Sequence, residues 1–167
     1  MNIYGIVGWK DSGKTGLVER LIMEFRALGL RVSTIKHAHH NFEVDKPGKD
    51  SWRHRKAGAG EILISSQRRW VLMCELGDAE EPGIGSLLEK LSPADLVLVE
   101  GYKRETHRKI ECHRQATRQP LLACSDPGVR AVASDVPDDC ETDRPVFHLD
   151  DSAGIARFIL DDLQITR

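Results

Sequence analysis

Residues 8–15 read Gly-Trp-Lys-Asp-Ser-Gly-Lys-Thr, which is the complete spacing of a Walker A phosphate-binding loop. An apolar run over residues 2–7 comes directly before the loop and predicts a buried strand, and residues 17–28 after it carry apolar side chains at helical spacing. Gly29 stands where a glycine often ends a helix, and a second strand is predicted over residues 30–35. This order of strand, loop, helix and strand is typical of a right-handed βαβ unit.

The rest of the chain continues to alternate between predicted helices and predicted strands, after a polar loop that is expected over residues 37–50. Helices are expected from residue 50 or 51 to about 59, over residues 82–91, and after Asp151 or Ser152. Strands are expected at residues 61–65 and 70–74, which form a hairpin, and at residues 95–99, 121–124, 129–133 and 146–148. The sequence therefore predicts one α/β domain over residues 1–167, with a P-loop NTPase-type, doubly wound and mostly parallel sheet flanked by helices.

The charge balance and the cysteines exclude several classes of function. A formal net charge of −2 provides no general basic field for nucleic acid or for an anionic membrane, so neither is expected as a partner. The cysteines are scattered and form no CxxC pair, so neither a disulfide framework nor a zinc site built from cysteines alone is predicted. No apolar run approaches the roughly 18 residues of a membrane span, and we expect a cytoplasmic protein.

Each residue type in the loop has a chemical reason to be there. Gly8 and Gly13 let the backbone curl closely around phosphate oxygens, and the loop N–H groups point to the positive end of the following helix. Lys14 is predicted to reach the terminal two phosphates and to act in catalysis, and the Thr15 hydroxyl is the predicted ligand for Mg²⁺. The predicted phosphate-binding residues are Gly8, Lys10, Asp11, Ser12, Gly13, Lys14 and Thr15.

A second carboxylate for Mg²⁺ is expected at the end of a neighbouring strand. The predicted strand from Asp95 has a carboxylate at each end, and ligands of parallel sheets bind at the carboxyl ends of the strands. At ~3.3 Å per residue, Asp95 lies at the far edge and Glu100 at the correct one. Glu100 is therefore predicted to hold Mg²⁺, directly or through water, or to position the attacking water. The alternative is a surface carboxylate at the end of a strand.

Four motifs follow one another along the chain. They are residues 8–15, Thr34-Ile-Lys-His37, Asp45-x-Pro-Gly-x-Asp50-Ser51 and Val99-Glu-Gly-Tyr-Lys103. With these motifs the sequence resembles the MobB family from residue 1 to about 110, and more weakly through residues 131–135 and the closing helix. MobB proteins are accessory proteins of molybdopterin-guanine dinucleotide biosynthesis.

The resemblance implies a homodimer that binds GTP and Mg²⁺ and hydrolyses GTP weakly. It also implies a partner, the guanylyltransferase MobA, which joins GMP to molybdopterin, and molybdopterin is a further candidate ligand. By position in the motifs, Asp45 is implied as a metal ligand and Asp50 as a catalytic carboxylate that positions water.

The residue that would select guanine is not given by a known motif, because the chain has no Asn-Lys-x-Asp sequence. The preference for guanine therefore rests on the resemblance. Asp135 is the candidate in the sequence, since it ends a predicted strand and a carboxylate can accept hydrogen bonds from guanine N1 and N2. The alternative is an ordinary turn before Pro137.

Two polar clusters begin at the last residues of two of these motifs. His37, His39 and His40 suggest either a transition-metal site or a polar loop that leads toward the nucleotide. Five residues after Glu100 suggest either a basic rim around the site or a solvated loop: Lys103, Arg104, His107, Arg108 and Lys109.

Three functions remain open from the sequence. The first is an accessory GTPase with slow intrinsic turnover, because no arginine finger can be assigned. The second is a small-molecule kinase or ligase that uses ATP. Such an enzyme would need an acceptor pocket and usually an arginine-bearing lid, for which the basic segment 53–56 could be mistaken. The third is a nucleotide-independent metal chaperone that uses the histidine loop.

Overall fold

The computed structural model describes residues 1–38 and 42–165. The strands are β1 (Asn2–Val7), β2 (Val32–Lys36), β3 (Glu61–Ser65), β4 (Trp70–Cys74), β5 (Leu96–Glu100), β6 (Lys109–His113), β7 (Val129–Ser134) and β8 (Val146–His148). The α-helices are α1 (Lys14–Ala27), α2 (Asp50–Lys56), α3 (Ile84–Leu88) and α4 (Ser152–Asp162). Short 3₁₀ turns lie at Gln115–Thr117, Leu122–Cys124 and Pro137–Asp139.

The chain folds into two compact units. The larger unit contains Met1–His37 and Leu91–Arg167, and the smaller unit contains Ala38–Lys90. The larger unit carries a six-stranded sheet in the order β2-β5-β1-β6-β7-β8, in which every pair of neighbours is parallel. The predicted α/β class with a mostly parallel sheet flanked by helices is therefore confirmed.

The register of the sheet determines which residues meet at its carboxyl edge. Glu100 pairs with Ile6 of β1 on one side and with Lys36 of β2 on the other. The loop that begins at Gly8 therefore leaves β1 beside the end of β5. Two residues that are far apart in the sequence, Lys36 and Glu100, lie next to each other at this edge.

The core forms where α1 and α4 pack on one face of this sheet. Leu17, Leu21 and Phe25 of α1 are fully buried, at the helical spacing seen in the sequence, in the same cluster as Ile155 and Ile159 of α4. Burying each such side chain stabilises the fold by roughly 1.5–3 kcal/mol. These contacts hold α1, and with it the glycine loop at its N-terminus, against the sheet.

The C-terminal end of α1 and the N-terminal end of α4 have the capping residues that the sequence predicts. Gly29 has φ 76°, and its N–H donates to the Arg26 carbonyl, as expected for a glycine that ends a helix. Asp151 precedes α4, and its Oδ1 accepts a hydrogen bond of 2.9 Å from the Gly154 N–H.

Two sequence predictions in the larger unit were wrong. Residues 121–124 form no strand, because Leu122–Cys124 is a 3₁₀ turn. The strand β6 was not predicted at all, although it lies beside β1 in the sheet. Its Lys109 and Glu111 are fully buried, so charged residues occupy positions where the sequence pattern favoured a loop.

The smaller unit contains the predicted hairpin. Strands β3 and β4 pair antiparallel with the bounds expected from the sequence, and the Ser66 N–H donates to the Arg69 carbonyl across the turn. Leu63 faces Leu72 across the hairpin, and both are exposed, at 62% and 41%.

Within residues 1–38 and 42–165 the longest helix is α1, with 14 residues. None of the helices there has the length and apolar character that a bilayer span requires.

Candidate nucleotide site

The glycine loop has the backbone conformation that its sequence predicts. Gly8 and Gly13 have φ 142° and 94°, values that other residues rarely adopt. A Cβ at Gly8 would also collide with the Cys112 carbonyl oxygen and with the Ser12 hydroxyl. These two glycines therefore permit both the turn of the loop and its close approach to β6.

Two polar groups of the loop are arranged for an anion. The Ser12 hydroxyl is buried and has no hydrogen-bond partner among the described residues. The Lys14 ammonium donates to the Trp9 carbonyl at 2.7 Å, so it lies over the loop, where it is expected to contact the phosphates. Burial lowers the pKa of Lys14 below its usual value, and a bound phosphate would offset this desolvation. A buried, unpaired hydroxyl and a desolvated ammonium in one loop fit a phosphate group.

The end of the loop nearest β5 carries a candidate site for Mg²⁺. The Thr15 hydroxyl donates to Glu100 Oε1 at 2.8 Å, and the Lys36 ammonium is 3.1 Å from the same oxygen. Only 11% of the Glu100 side chain is exposed. A hydroxyl and a carboxylate are the hard oxygen donors that Mg²⁺ prefers, so these residues fit the ion. The assignment of Thr15 and Glu100 to Mg²⁺ stays a prediction.

The other carboxylate of this strand lies where it cannot join the site. Asp95 precedes β5, and its Oδ2 accepts a hydrogen bond of 2.7 Å from the Arg31 N–H. The two carboxylates therefore occupy opposite ends of one strand, as the sequence predicted, and only Glu100 contacts the loop.

A cavity of about 320 Å³ lies over the loop. It is lined by residues 11–16, by Glu100 and by Arg114. Arg114 was not predicted as a site residue. A basic residue directly after a strand of the central sheet is a recognisable signal, but this strand is β6, which the sequence pattern did not reveal. A larger cavity between α1 and α4 lies away from these polar groups and is lined by residues such as Ala27, Ala156 and Leu160.

The remaining predicted carboxylates are divided between the two units. Asp135 follows β7, and its Oδ1 accepts a hydrogen bond of 3.0 Å from the Gln115 N–H. Asp45 lies in the smaller unit, where it pairs with Arg55 at 2.8 Å and its side chain is 2% exposed. A metal ion at Asp45 would have to compete with this ion pair. Asp50 begins α2 in the same unit and is exposed. The implied roles of these three residues stay predictions.

The predicted basic rim is wrong for the last residues of the segment. Lys109 is fully buried, and its ammonium contacts Asp126 Oδ2 at 2.6 Å. Arg108 pairs with Asp162, and the His107 ring packs against Gly5. The physical reason is that the chain turns back after Glu100 to enter β6. Of this segment, Lys103 lies near the loop, with its ammonium 4.2 Å from the centre of the Trp9 ring.

The histidine loop is described only in part. The His37 ring packs on the Tyr102 ring, with 4.8 Å between their centres. His39 and His40 lie outside the described residues. Among the residues that are described, no group of three or more His, Cys, Asp or Glu side chains is placed to hold a metal ion.

The parallel sheet and the glycine loop at the end of its central strand define a protein of the P-loop nucleotide-binding class. The MobB family profile, described as molybdopterin guanine dinucleotide synthesis protein B, matches residues 3–135. The chain belongs to this family, and the resemblance seen in the sequence is confirmed.

Individual relatives agree with this assignment. The chain is 41% identical over 165 residues to an Escherichia coli protein named molybdopterin-guanine dinucleotide biosynthesis adapter protein, covering 97% of this chain and 93% of that one. It is 42% identical to the Haemophilus influenzae protein of the same name, covering 94% and 86%. The structure is similar to the crystal structure of a MobB homologue from Bacillus stearothermophilus, with TM-score 0.71, 27% identity, and coverage of 99% and 100%.

Proposed function

We propose that this chain is a GTP-binding adapter protein of molybdopterin-guanine dinucleotide biosynthesis, which assists the guanylyltransferase MobA. Relatives that carry the adapter name align with almost the whole chain, which supports the pathway. The observation that carries the nucleotide part is the contact of 2.8 Å between Thr15 and Glu100 beside the glycine loop. It brings the two expected Mg²⁺ ligands together at the place where a triphosphate would end.

The proposed nucleotide is a complex of GTP with Mg²⁺. The loop N–H groups, the Ser12 hydroxyl and Lys14 would bind the phosphates, and Thr15 and Glu100 would hold the ion. In such sites the ion neutralises the charge that develops on the transferred phosphoryl group. The preference for GTP rests on the family resemblance, and Asp135 stays the sequence-based candidate for selecting guanine.

We further propose that hydrolysis is slow in the isolated protein. Rapid phosphoryl transfer to water requires a carboxylate or amide that is free to orient the water. The Glu100 oxygen nearest the loop already accepts from Thr15 and pairs with Lys36. A partner that rearranges these contacts would accelerate the reaction, which suits an adapter better than an enzyme that acts alone.

The same proposal includes a homodimer, for which the smaller unit offers a surface. Leu63, Trp70 and Leu72 lie on one face of the hairpin, and all three are exposed. A two-stranded sheet is at best marginally stable by itself, so a second copy of the chain that covers this face would stabilise it. Sedimentation equilibrium of the wild type and of Leu72→Glu tests this: the variant should shift toward monomer, and a wild-type monomer at all concentrations would refute the dimer.

The experiment that tests the nucleotide part is titration calorimetry with Mg²⁺, comparing GTP with ATP for the wild type and Lys14→Ala. We expect a preference for GTP, and a loss of roughly 10- to 100-fold in the variant, because a charged hydrogen bond to phosphate is removed. Equal or tighter binding of ATP would instead favour the small-molecule kinase or ligase. The basic segment 53–56 does not support the lid that such an enzyme would need, because its Arg55 is bound to Asp45.

A further inference from the structure

Arg114 lines the loop cavity but has no part in the function proposed above. It directly follows β6, and its side chain is exposed. Within residues 1–38 and 42–165, no group accepts a hydrogen bond from its guanidinium. The five N–H donors of this group are therefore available to a ligand at the edge of the phosphate loop.

Arg114 lies on a defined side of β1. A Cβ at Gly13 would lie 3.2 Å from Arg114 Nε and 3.0 Å from Leu149 Cδ2. The guanidinium thus lies beside the N-terminal end of α1, on the side of β1 that carries β6, β7 and β8. Glu100 lies on the opposite side, because β5 and β6 flank β1. The two sides are two strand spacings apart, or about 10 Å.

A nucleotide on a phosphate loop has a fixed direction, with its terminal phosphates at the end that holds Mg²⁺. In phosphate-loop proteins Mg²⁺ bridges the terminal two phosphates, and the loop lysine contacts the same groups. The terminal phosphates therefore belong beside Thr15 and Glu100. The nucleoside must then extend in the other direction, over the carboxyl ends of β6 to β8, where Arg114 lies.

We propose that Arg114 binds the nucleoside half of the nucleotide, with its planar guanidinium packed against the purine ring. A delocalised, weakly hydrated guanidinium stacks well on aromatic faces, which a lysine ammonium does not. This assignment rests on the proposed nucleotide function and adds a residue to it. It also separates Arg114 from an arginine that stabilises the terminal phosphate during hydrolysis.

In this arrangement Asp135 acts as a positioning residue, in place of the guanine-selecting role considered for it above. Its Oδ1 accepts a hydrogen bond of 3.0 Å from the Gln115 N–H, at the first residue of the 3₁₀ turn Gln115–Thr117. Arg114 is the residue that caps this turn. The carboxylate at the end of β7 therefore fixes the backbone from which the Arg114 side chain extends.

The test compares two ligands that share the triphosphate chain, GTP and inorganic tripolyphosphate, of which only GTP carries a nucleoside, each with Mg²⁺ in titration calorimetry. For Arg114→Ala we expect affinity for GTP to fall roughly 5- to 30-fold, the upper part of the range of a cation on an aromatic ring, because the bound purine shields the contact from water. Affinity for tripolyphosphate should stay within about twofold. Arg157→Ala removes the same charge from an exposed position on α4 and should change neither affinity.

The outcomes separate the inference from the function on which it rests. An equal fall for both ligands would assign Arg114 to the phosphates and overturn the proposal, as would an unchanged affinity for GTP. If the wild type binds neither ligand, both the proposed function and this inference fail.

Variants of Asp135 test the positioning part. Asp135→Asn keeps an oxygen that can accept from the Gln115 N–H, so its affinity for GTP should stay within about twofold of the wild type. Asp135→Ala should lose about as much as Arg114→Ala, and the double variant should lose no more than either single one. A loss in Asp135→Asn as large as that in Asp135→Ala would show that the negative charge itself is needed, and would overturn the positioning role.

Discussion

Replacing Glu100 by glutamine separates the metal function of this carboxylate from its contribution to the fold. The substitution keeps the size of the side chain and an oxygen that can accept from the Thr15 hydroxyl, now 2.8 Å away. It removes the negative charge that faces Lys36 at 3.1 Å and that would face Mg²⁺. We therefore expect a large effect on metal-dependent binding and a small effect on stability.

The expected magnitudes follow from the surroundings of the two charges. The Lys36 side chain is 59% exposed. Solvent therefore screens the ion pair, and its loss should lower the free energy of unfolding by at most about 1 kcal/mol. Losing a carboxylate that holds or orients a metal ligand typically costs 10- to 100-fold in metal affinity, or about 1.4–2.7 kcal/mol. The effect on Mg²⁺ should therefore exceed the effect on folding.

The assay measures GTP affinity by calorimetry at a series of Mg²⁺ concentrations and again with a chelator, together with urea unfolding of the free protein. Without the ion, Glu100→Gln should bind GTP at least as well as the wild type, because a negative charge near the phosphates is removed. With the ion, its gain in affinity should be smaller by the factor given above.

Asp95→Asn is the matched control, since it removes the same charge from the other end of β5. Its contact is with Arg31, so we expect a modest change in stability and no change in the Mg²⁺ dependence. An unaltered Mg²⁺ dependence in Glu100→Gln, or an equal effect of the two substitutions, would refute the reasoning that assigns ligands by strand polarity.

Three further predictions concern groups inside the larger unit. Burial raises the pKa of Cys112 to about 12, so this thiol should be alkylated only after denaturation. The exposed thiol of Cys124 should react in the folded protein, and mass spectrometry of the labelled peptides checks both results. Burial also raises the pKa of Glu111 above its ordinary 4.5. The stability that this group contributes should therefore be lost as pH rises through the raised value. Urea unfolding at several pH values should show that the free energy of unfolding depends less on pH in Glu111→Gln than in the wild type. In urea unfolding, Phe25→Ala should lower the free energy of unfolding by about 3–5 kcal/mol, because Phe25 is buried. Met23→Ala, on the exposed face of α1, should lower it by less than about 0.5 kcal/mol, and equal losses would contradict the assigned core face.

The elements that the sequence predicted well are those whose pattern is local. The strand β1 and the hairpin strands β3 and β4 have the predicted bounds, because apolar runs are closed by glycine or by a four-residue turn. The glycine loop is similarly local, since its residues and its flanking strand and helix are adjacent in the sequence.

The strand β6 escaped prediction because its stability depends on distant partners. Lys109 is neutralised by Asp126, and Glu111 accepts hydrogen bonds from the N–H groups of Leu122 and Ala123. The same two hydrogen bonds hold residues 122–124 in a 3₁₀ turn, so one buried carboxylate accounts for both errors. The sequence indicates this strand only through Ile110 and Cys112, which alternate with the charged residues and are fully buried.

The site was predictable to the same extent as the strands that carry it. Glu100 was found because β5 is a continuous apolar run with an unambiguous direction, whereas Arg114 was missed because it follows β6. Its position beside Gly13 depends on residues 101 positions apart being brought together by the pairing of β1 with β6.

This dependence also shows how the site can be lost without changing any residue that touches the nucleotide. Side chains on a strand alternate between faces, so a shift of β5 by one residue against β1 would move the Glu100 carboxylate to the other face and place Val99 at the end of the pair with Ile6. The buried residues Leu96 and Leu98 face the α1 layer and resist this shift, because it would exchange them with their neighbours on the opposite face. The packing of α1 therefore fixes the register that brings Glu100 to Thr15, and the metal end of the site is specified by the core as much as by its own ligands.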